Sequence, residues 1–324
     1  MQLVSGNDVH KLCDWQLLVE GLAEAHRAPR PLVSRAELHS AGNAGERQTF
    51  FSLLAWQPGI AMGTKIITVM PLNPQGSSGL PTGQAAYVLF DGENGSPLAV
   101  LDGTALSHFK TAADSALGAK LLAREDASTF LMVGAGALAP YMIEAHRSVR
   151  PSINRVLIWN RTRQKAEDLA RICGGEVVCD LQEAVGWADI ICCATASTKP
   201  IVMGSWLKPG VHLDLVGGFT PDMRECDDTA VKRCRLFVDS WMFGVDQPGD
   251  IADPLSRGVI TRDKIEADLF DLCMPNVQLL RNYEDLTLFK NGGGGHLDLF
   301  TALFISRRLG LAGAHQESNI SISE

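Results

Sequence analysis

The segment TFLMVGAGALAPY at residues 129–141 constrains the fold of this chain more than any other. A short apolar run ends at Gly134, and Gly134, Gly136 and Ala139 stand in G-x-G-x-x-A register before a helical pattern. Small residues allow a tight turn there, and the free N–H groups of a helix N-terminus favour an anion such as pyrophosphate. The segment predicts a dinucleotide-binding loop, and the alternative is a glycine-rich turn without a ligand. The predicted loop residues are Gly134, Ala135, Gly136, Ala137 and Leu138.

Strand-like and helix-like patterns alternate between residues 127 and 290. The apolar runs TFLMV, RVLIW, EVV, DIICCAT, HLDLV and LFVDS are separated by helical stretches such as TRQKAEDLARIC. This alternation predicts an α/β fold with a Rossmann-type, doubly wound parallel sheet. Thr162 is the expected N-cap of one helix, and Asp180 with Glu183 resembles a capping box at the start of the next.

The first 110 residues have a different pattern. An amphipathic helix near DWQLLVEGLAEAHR precedes the short runs QTFFSLLAW, TKIITVM, QAAYVLF and PLAVLDG, which are divided by turn residues. Short runs with close turns predict an antiparallel sheet. The helical segment KTAADSALGAKLLAR joins the two regions, and we expect the last helix, DLFTALFISRRLG, to return to the first domain. We therefore predict a smaller α+β substrate-binding domain at residues 1–112 with 303–324, and a dinucleotide-binding Rossmann domain at 113–302.

Composition limits the classes of function. The 324 residues are 46% hydrophobic, which supports globular packing and two domains. The formal net charge is −8 with scattered Lys and Arg, so we expect no nucleic-acid partner. No signal peptide and no long apolar stretch is visible, so we expect a soluble cytoplasmic protein without a membrane partner. The eight cysteines form no C-x-x-C pair, which indicates buried thiols in a reducing compartment, and we predict no metal.

The second strand of the Rossmann pattern ends in IWNRTR rather than in an acidic residue. A carboxylate there would bind the ribose 2′-hydroxyl and repel a 2′-phosphate, whereas this segment offers donors and positive charge. We predict that NADP(H) is preferred and that NAD(H) is possible; the alternative is a solvated basic helix start. The residues concerned are Asn160, Arg161, Thr162 and Arg163.

The chain after the DIICCAT strand is expected to pass the nicotinamide side of the sheet. Thr195, Ala196 and Ser197 lie there, although a plain strand-end turn explains them almost as well. Val216 and Asn291 are the further residues predicted to bind the cofactor.

Three cations in apolar surroundings are candidates for binding a substrate anion, namely Arg47, Lys65 and Lys110. Lys110 directly precedes the predicted TAADSALGAKLLAR helix, so its ammonium and the helix N-terminus could together hold a carboxylate or phosphate. For each cation, the alternative is an ordinary surface position.

Several segments together resemble the ornithine cyclodeaminase and mu-crystallin family of NAD(P)-dependent enzymes, over essentially the whole chain. They are GTKIITV, LAVLDG, KTAADSALGAK, VGAGALA, IWNRT, GGFTPDMRECDD and LFKNGGGGHLDL. The resemblance implies a homodimer built on the first domain's sheet, a nucleotide-binding domain before the final helix, and an active site between the two domains. It also implies that Arg47, Lys65, Thr82 and Lys110 face the substrate carboxylate or the cofactor. Most members carry Arg at position 110, and Lys binds as a point charge rather than as a planar fork.

Phe219, in VHLDLVGGFTPD, separates two branches of that family. Cyclodeaminases resemble this strand end but place an Asp there, which serves ring closure and ammonia loss. This chain has a phenyl ring, and Asp222, three residues later, is expected to cap the next helix rather than to replace the acid. The pattern therefore resembles the reductase branch.

We therefore predict an NAD(P)H-dependent reductase of a small cyclic imino acid, forming L-proline from Δ1-pyrroline-2-carboxylate and tolerating the six-membered Δ1-piperideine-2-carboxylate. Phe219 would form an apolar wall beside the substrate, and Lys65 would supply the proton to the imine nitrogen, for which burial and nearby cations must lower its pKa. In the rival interpretation, Lys65 stays charged and pairs with the carboxylate.

Two further functions stay open, namely ornithine cyclodeaminase, which releases ammonia, and an NADPH-retaining ligand-binding protein like the crystallins. His108, His296 and Asp298 are expected near the cleft. His296 is a conceivable proton relay or an incidental residue of a glycine-rich helix start.

Overall fold

A computed structural model describes residues 1–311, apart from positions 43, 78 and 278. The chain divides into two compact units. Unit 1 comprises Met1–Cys13, Pro31–Leu106 and Asp298–Glu324, and unit 2 comprises Asp14–Arg30 and Ser107–Leu297. Residues 14–30 thus belong to unit 2, whereas the sequence placed them in the first domain. The predicted boundaries near 112 and 302 differ from the unit boundaries by a few residues, and positions 312–324 lie outside the described residues.

The described part of unit 1 contains a six-stranded sheet in the order β1-β6-β5-β4-β3-β2. Neighbouring strands from β2 to β6 run antiparallel, as predicted, while β1 joins β6 in parallel. The sequence patterns found β3 to β6 but missed β1 and β2. The strands are β1 (Gln2–Val4), β2 (Leu32–Ala41), β3 (Arg47–Gln57), β4 (Ala61–Val69), β5 (Gly83–Asp91) and β6 (Pro97–Asp102), and helix α1 (Gly6–Leu12) follows β1.

Strand β3 has two faces of different character. Leu53 and Ala55 are buried, whereas the alternate residues Leu54 and Trp56 are 44% and 45% exposed although both are apolar. Successive side chains of a strand point to opposite faces, so one face of this sheet packs into the core of unit 1. The other face is apolar and exposed in the single chain.

Unit 2 contains an eight-stranded sheet in the order β13-β12-β14-β11-β10-β7-β8-β9. The described strand pairs are all parallel, which confirms the Rossmann-type prediction. The strands are β7 (Thr129–Val133), β8 (Arg155–Trp159), β9 (Glu176–Val177), β10 (Ile190–Cys193), β11 (His212–Leu215), β12 (Arg235–Val238), β13 (Ile265–Asp268) and β14 (Thr287–Lys290).

The helices of unit 2 include crossover connections between successive parallel strands, together with two helices that precede β7 and one that follows β14. They are α2 (Trp15–Arg27), α3 (Gly103–Leu122), which begins in unit 1, α4 (Ala139–Val149), α5 (Arg163–Cys173), α6 (Leu181–Trp187), α7 (Asp228–Arg233), α8 (Gly249–Ser256), α9 (Leu269–Leu272) and α10 (Gly295–Arg308), which ends in unit 1. Asp180 caps α6 by accepting from the backbone N–H of Glu183, whereas Thr162 precedes α5 without a capping bond from its side chain.

The sequence patterns missed β13 and β14. Both strands have four residues. Strand β13 contains Glu266 and Asp268, and β14 ends in the fully buried Lys290, so neither forms an apolar run. Strand β14 nevertheless pairs with β11 on one side and β12 on the other. Central position in a sheet is decided by hydrogen bonding to distant strands, which a local pattern does not reveal.

The prediction that Lys110 precedes its helix is wrong. Helix α3 begins at Gly103, because the Asp102 carboxylate accepts from the backbone N–H groups of Thr104 and Ala105 and so caps the helix early. Lys110 lies inside α3, and the helix N-terminus cannot assist it in binding an anion.

Candidate functional site: a dinucleotide cavity and two buried lysines

The loop after β7 has the geometry that the glycine pattern predicts. Gly134 has a φ of 113°, and a Cβ there would lie 2.6 Å from the carbonyl oxygen of Ala194. A Cβ on Gly136 would meet no atom within 4 Å. A side chain at position 134 would therefore strain the backbone and clash with it. A side chain at position 136 would instead enter the open space beside the loop.

A cavity of about 520 Å³ opens at this loop. The ends of three adjacent parallel strands, β7, β8 and β10, form it, at the point where the strand order reverses. Its volume and the open side of Gly136 fit a bound dinucleotide. The lining residues are Gly134, Ala135, Gly136, Trp159, Asn160, Arg161, Thr162, Lys165, Ala194, Thr195, Ala196, Ser197 and Ile201.

Most of the predicted cofactor residues in unit 2 line this cavity. The predicted residues of unit 2 that are not in its lining are Lys110, Ala137, Leu138, Arg163, Val216 and Asn291. Four lining residues were not predicted from the sequence, namely Trp159, Lys165, Ala194 and Ile201. Lys165 lies two residues beyond the quoted IWNRTR segment, in the first turn of α5, where a cation close to the cavity could have been considered.

The two arginines of the IWNRTR segment differ in their surroundings. Arg161 is exposed and lines the cavity. Arg163 instead donates to Glu167 Oε1 (2.8 Å) and to Cys179 Sγ (2.9 Å). The Cys179 side chain is exposed, so the prediction of buried thiols is wrong for this residue. Positive charge on the cavity side thus comes from Arg161 and Lys165.

Asn160 organises the turn between β8 and α5. Its Oδ1 accepts from the Ala135 backbone N–H (3.2 Å), and its Nδ2 donates to the Thr162 carbonyl (2.9 Å). The side chain therefore ties the glycine loop to the turn that carries Arg161.

The turn after β11 presents Phe219 to solvent in the single chain. The Phe219 side chain is 62% exposed, and its backbone N–H bonds the carbonyl of Gly217 (3.0 Å). Asp222 accepts from the Thr220 hydroxyl (2.6 Å) and does not cap a helix. Asp227 caps α7 instead, because non-helical backbone separates Asp222 from the first turn, so that expectation is wrong.

Lys65 of unit 1 is buried beside a carboxylate. Its Nζ lies 2.9 Å from Asp298 Oδ1, and Asp298, in α10, is fully buried. Tyr87 pairs with Lys65 across β4 and β5, and burial, together with Asp298, raises the pKa of its hydroxyl well above the usual value. The sequence placed Asp298 near the cleft without giving it a partner.

Arg47 and Thr82, the other candidates in unit 1, have exposed side chains. Arg47 begins β3 and donates from Nη2 to His39 Nε2 (2.7 Å) across the β2–β3 pair. The Thr82 carbonyl accepts from the Met70 backbone N–H (2.7 Å). Arg47 thus keeps its guanidinium at the surface of the sheet, where an anion can approach it.

Lys110 of unit 2 is 2% exposed and bonds backbone oxygens. Its Nζ donates to the carbonyls of Gly293 (2.7 Å) and Gly294 (3.2 Å). The Gly293 N–H in turn donates to Asp239 Oδ2 (2.8 Å), and burial raises the pKa of Asp239 to about 6. Lys110 therefore anchors the glycine-rich loop before α10.

The remaining candidates of unit 2 are held by internal contacts. Asn291 donates from Nδ2 to the Thr111 carbonyl (3.0 Å) and to Ser115 Oγ (3.1 Å). Burial lowers the pKa of His296 well below its usual value, so the ring is neutral. His108 is half-buried with its ring centroid 4.8 Å from that of Tyr141. A neutral imidazole can relay a proton only if an acid supplies one.

Residues 1–311, apart from positions 43, 78 and 278, contain neither a metal-binding cluster nor a membrane-spanning helix. No group of three or more His, Cys, Asp or Glu side chains there is arranged to hold a metal ion. In the same residues, no helix combines the length and apolar character needed to cross a membrane.

Comparison with known proteins gives consistent matches over most of the chain. The profile of the ornithine cyclodeaminase/mu-crystallin family matches residues 43–310. A Δ1-pyrroline-2-carboxylate reductase of Paracoccus denitrificans is 39% identical over 311 residues, or 94% of this chain and 96% of the relative.

Two solved structures resemble the whole fold. A Thermococcus litoralis Δ1-pyrroline-2-carboxylate reductase in complex with NADH and L-proline has a TM-score of 0.85 and 28% identity, covering 96% of this chain and 99% of that chain. An archaeal alanine dehydrogenase dimer with bound NAD has a TM-score of 0.85 and 25% identity, covering 95% of each chain.

Proposed function

Because the chain belongs to the ornithine cyclodeaminase/mu-crystallin family, we propose that it reduces Δ1-pyrroline-2-carboxylate to L-proline with NAD(P)H and accepts the six-membered homologue. The observation that most supports this proposal is the exposed Phe219 in the turn after β11, where the cyclodeaminase pattern requires a carboxylate. The relatives from Paracoccus and Thermococcus, both named for this reduction, support the same activity.

The reaction needs a hydride at the imine carbon and a proton at the ring nitrogen. The nicotinamide cofactor supplies the hydride when it is bound. The protein must hold the carboxylate, orient the ring, exclude water and deliver the proton. We assign the carboxylate to Arg47 and Lys110, the apolar wall to Phe219, and the proton to Lys65.

The Lys65–Asp298 pair supports the proton-donor role. An opposite charge at 2.9 Å favours the ammonium form, which keeps a proton on Lys65. The neighbour is an anion rather than the cations expected from the sequence, so this contact opposes the lowered pKa that the sequence analysis required. The partner carboxylate also fixes the Nζ position. Lys110 directs two of its three donors at the glycine loop and contributes its charge from there.

The proposed cofactor residues combine the cavity lining with the family's positions. The cavity residues cradle the phosphates and the adenosine ribose, and the exposed Arg161 beside Lys165 favours the 2′-phosphate of NADPH. We assign cofactor binding to Thr82, Lys110, Gly134, Ala135, Gly136, Ala137, Leu138, Asn160, Arg161, Thr162, Arg163, Thr195, Ala196, Val216 and Asn291.

A homodimer is also part of the proposal. The exposed face of the unit 1 sheet carries Leu32, Leu38, Phe50, Leu54 and Trp56, between 44% and 69% exposed, and a cavity of about 530 Å³ lies on it. Apolar patches of this kind mark protein interfaces. The archaeal alanine dehydrogenase relative is a dimer, which supports a second copy of this chain as the occupant.

The free thiols of the described cysteines support a reducing, cytoplasmic location.

One assay tests the function. NADPH absorbance is followed with Δ1-pyrroline-2-carboxylate and with its six-membered homologue, while ammonia is measured after incubation with L-ornithine. We expect absorbance loss with the imines and no ammonia from ornithine. Ammonia release would identify a cyclodeaminase. Tight NADPH binding without either signal would identify a ligand-binding protein.

The cofactor preference is tested by substituting two arginines, one that lines the cavity and one that does not. Arg161→Ala is expected to raise the KM for NADPH about 10-fold, the effect of losing a bond to a charged group, and to leave the KM for NADH within about twofold. Arg171→Ala is the matched control, since Arg171 in α5 carries the same charge but pairs with Asp168 and does not line the cavity, so we expect both KM values to stay within about twofold. Equal KM values for NADPH and NADH in the unmodified protein would contradict the preference.

A further inference from the structure

A buried glutamate joins the ends of two neighbouring strands beside the dinucleotide cavity. Thr195 and Gly217 follow β10 and β11, which pair in parallel. Glu225 Oε1 accepts from the backbone N–H (2.7 Å) and the hydroxyl (2.8 Å) of Thr195, and its Oε2 accepts from the Gly217 N–H (2.7 Å). The Glu225 side chain is fully buried. One carboxylate thus satisfies donors from both strand ends.

The backbone of Glu225 is held as firmly as its side chain. Its N–H donates to Asp250 Oδ1 (2.7 Å), and Asp250 Oδ2 lies 3.3 Å from the fully buried Lys290 Nζ. Its carbonyl accepts from the N–H groups of Ile201 (2.9 Å) and Val202 (3.0 Å). These bonds leave the carboxylate no freedom to follow a displaced loop.

The two strand ends approach each other too closely for a side chain at position 217. A Cβ on Gly217 would lie 1.9 Å from the Thr195 carbonyl oxygen and 2.5 Å from Glu225 Oε1. The Phe219 N–H bonds the Gly217 carbonyl, so the aromatic residue follows directly from this clamped position. Movement of Gly217 would therefore move Phe219.

Resting on the proposed function, we propose that Glu225 is a positioning residue that clamps the turn bearing Phe219 to the end of β10 and so sets the acceptor ring for hydride transfer. Thr195 also lines the cavity, so the same carboxylate fixes one wall of the cofactor site. Misplacement of reacting atoms by about 1 Å can lower a rate about 100-fold. A clamp at this place therefore acts on turnover more than on binding.

The clamp requires an ionised Glu225 carboxylate, because its two oxygens accept all three bonds. Burial raises the pKa of Glu225 to about 7; attraction to Lys290 opposes this rise and repulsion from Asp250 adds to it. The Cys192 and Cys193 thiols of β10 also interact electrostatically with Glu225, and burial raises the pKa of each thiol well above its usual value. An ionised carboxylate only accepts bonds, whereas a protonated one presents a donor to N–H groups. We expect kcat to fall as the pH drops below about 7.

Glu225→Gln is the test variant, because glutamine has the same size but only one acceptor oxygen. Leaving a buried N–H unsatisfied is expected to lower kcat about 10-fold or more, while the KM for the imine changes less than about threefold. The fall of kcat below pH 7 is expected to disappear in this variant. If Glu225→Gln fails to fold, Thr195→Val removes the hydroxyl donor alone. We then expect kcat to be about threefold lower, with the KM for the imine unchanged.

Asp214→Asn is the matched control. Asp214, in β11, is also fully buried, and burial raises the pKa of its carboxyl to about 7, but Oδ1 accepts from Ser115 rather than from the two strand ends. We expect kcat within about twofold of the unmodified enzyme and a retained fall at low pH. An equal loss of kcat in both variants would overturn the clamp, since any buried carboxylate would then have the same effect.

Amide hydrogen exchange separates this inference from the proposed function. Peptides covering residues 194–198 and 216–224 are expected to exchange faster in Glu225→Gln, with no substrate present. If the unmodified protein does not reduce the imine, the proposed function fails and exchange still tests the clamp. Unchanged exchange overturns the clamp, and faster exchange with unchanged kcat overturns its role in hydride transfer.

Discussion

Replacing Lys65 with methionine is expected to lower kcat for Δ1-pyrroline-2-carboxylate by about 100-fold or more, the usual contribution of a positioned proton donor. Methionine has a similar length but carries no proton. The KM for the imine is expected to rise by less than kcat falls. Steady-state kinetics with saturating NADPH measures both constants. A large rise in KM at nearly unchanged kcat would support the rival role, in which Lys65 pairs with the substrate carboxylate.

The same substitution also tests the fold, because it leaves the buried Asp298 carboxylate without its cation. Removing one partner of a buried ion pair costs about 3–5 kcal/mol of stability. The double variant Lys65→Met with Asp298→Asn removes both charges and is expected to regain most of the free energy of unfolding. It should stay as inactive as Lys65→Met. Recovery of kcat in the double variant would show that the single variant had failed through instability alone.

Gly136→Ala is expected to weaken NADPH binding about 10-fold or more without lowering stability. The added Cβ would point into open space, so the folded chain accepts it, but it would occupy the position that the pyrophosphate approaches. Alanine also restricts the unfolded chain, which favours the folded state slightly. Fluorescence titration with NADPH and thermal unfolding measure the two effects.

Gly134→Ala is the contrasting variant in the same loop. With a φ of 113° and the Ala194 carbonyl 2.6 Å from the new Cβ, it should lose about 1–3 kcal/mol through backbone strain, with the steric overlap added. The melting temperature is expected to fall by several degrees, and NADPH binding with it. If Gly136→Ala were the destabilised variant, or bound NADPH normally, the assignment of the loop would be wrong.

The cofactor site was the part most accessible to local reasoning. The strands TFLMV and RVLIW were found with their observed bounds, because a buried parallel strand is a continuous apolar run. The glycine register predicted a tight turn and a pyrophosphate site. In the structure a Cβ would clash at Gly134, whereas Gly136 borders open space. The same reasoning failed at β14, where Thr287 and Lys290 interrupt the apolar pattern, and at Glu225, which lay unnoticed in the quoted GGFTPDMRECDD segment.

Local sequence patterns were sufficient to predict the alternating strands and helices, the dinucleotide loop, the positive charge of Arg161 beside it and the absence of a carboxylate at position 219. Each of these depends on residues that are close in the chain, so periodicity and turn chemistry express them directly. Two contacts became visible only in the folded chain: Lys65 pairs with Asp298, 233 residues away, and Glu225 bonds the ends of β10 and β11. A buried charge is tolerated only where packing brings it a partner, and the identity of that partner is a property of the folded chain.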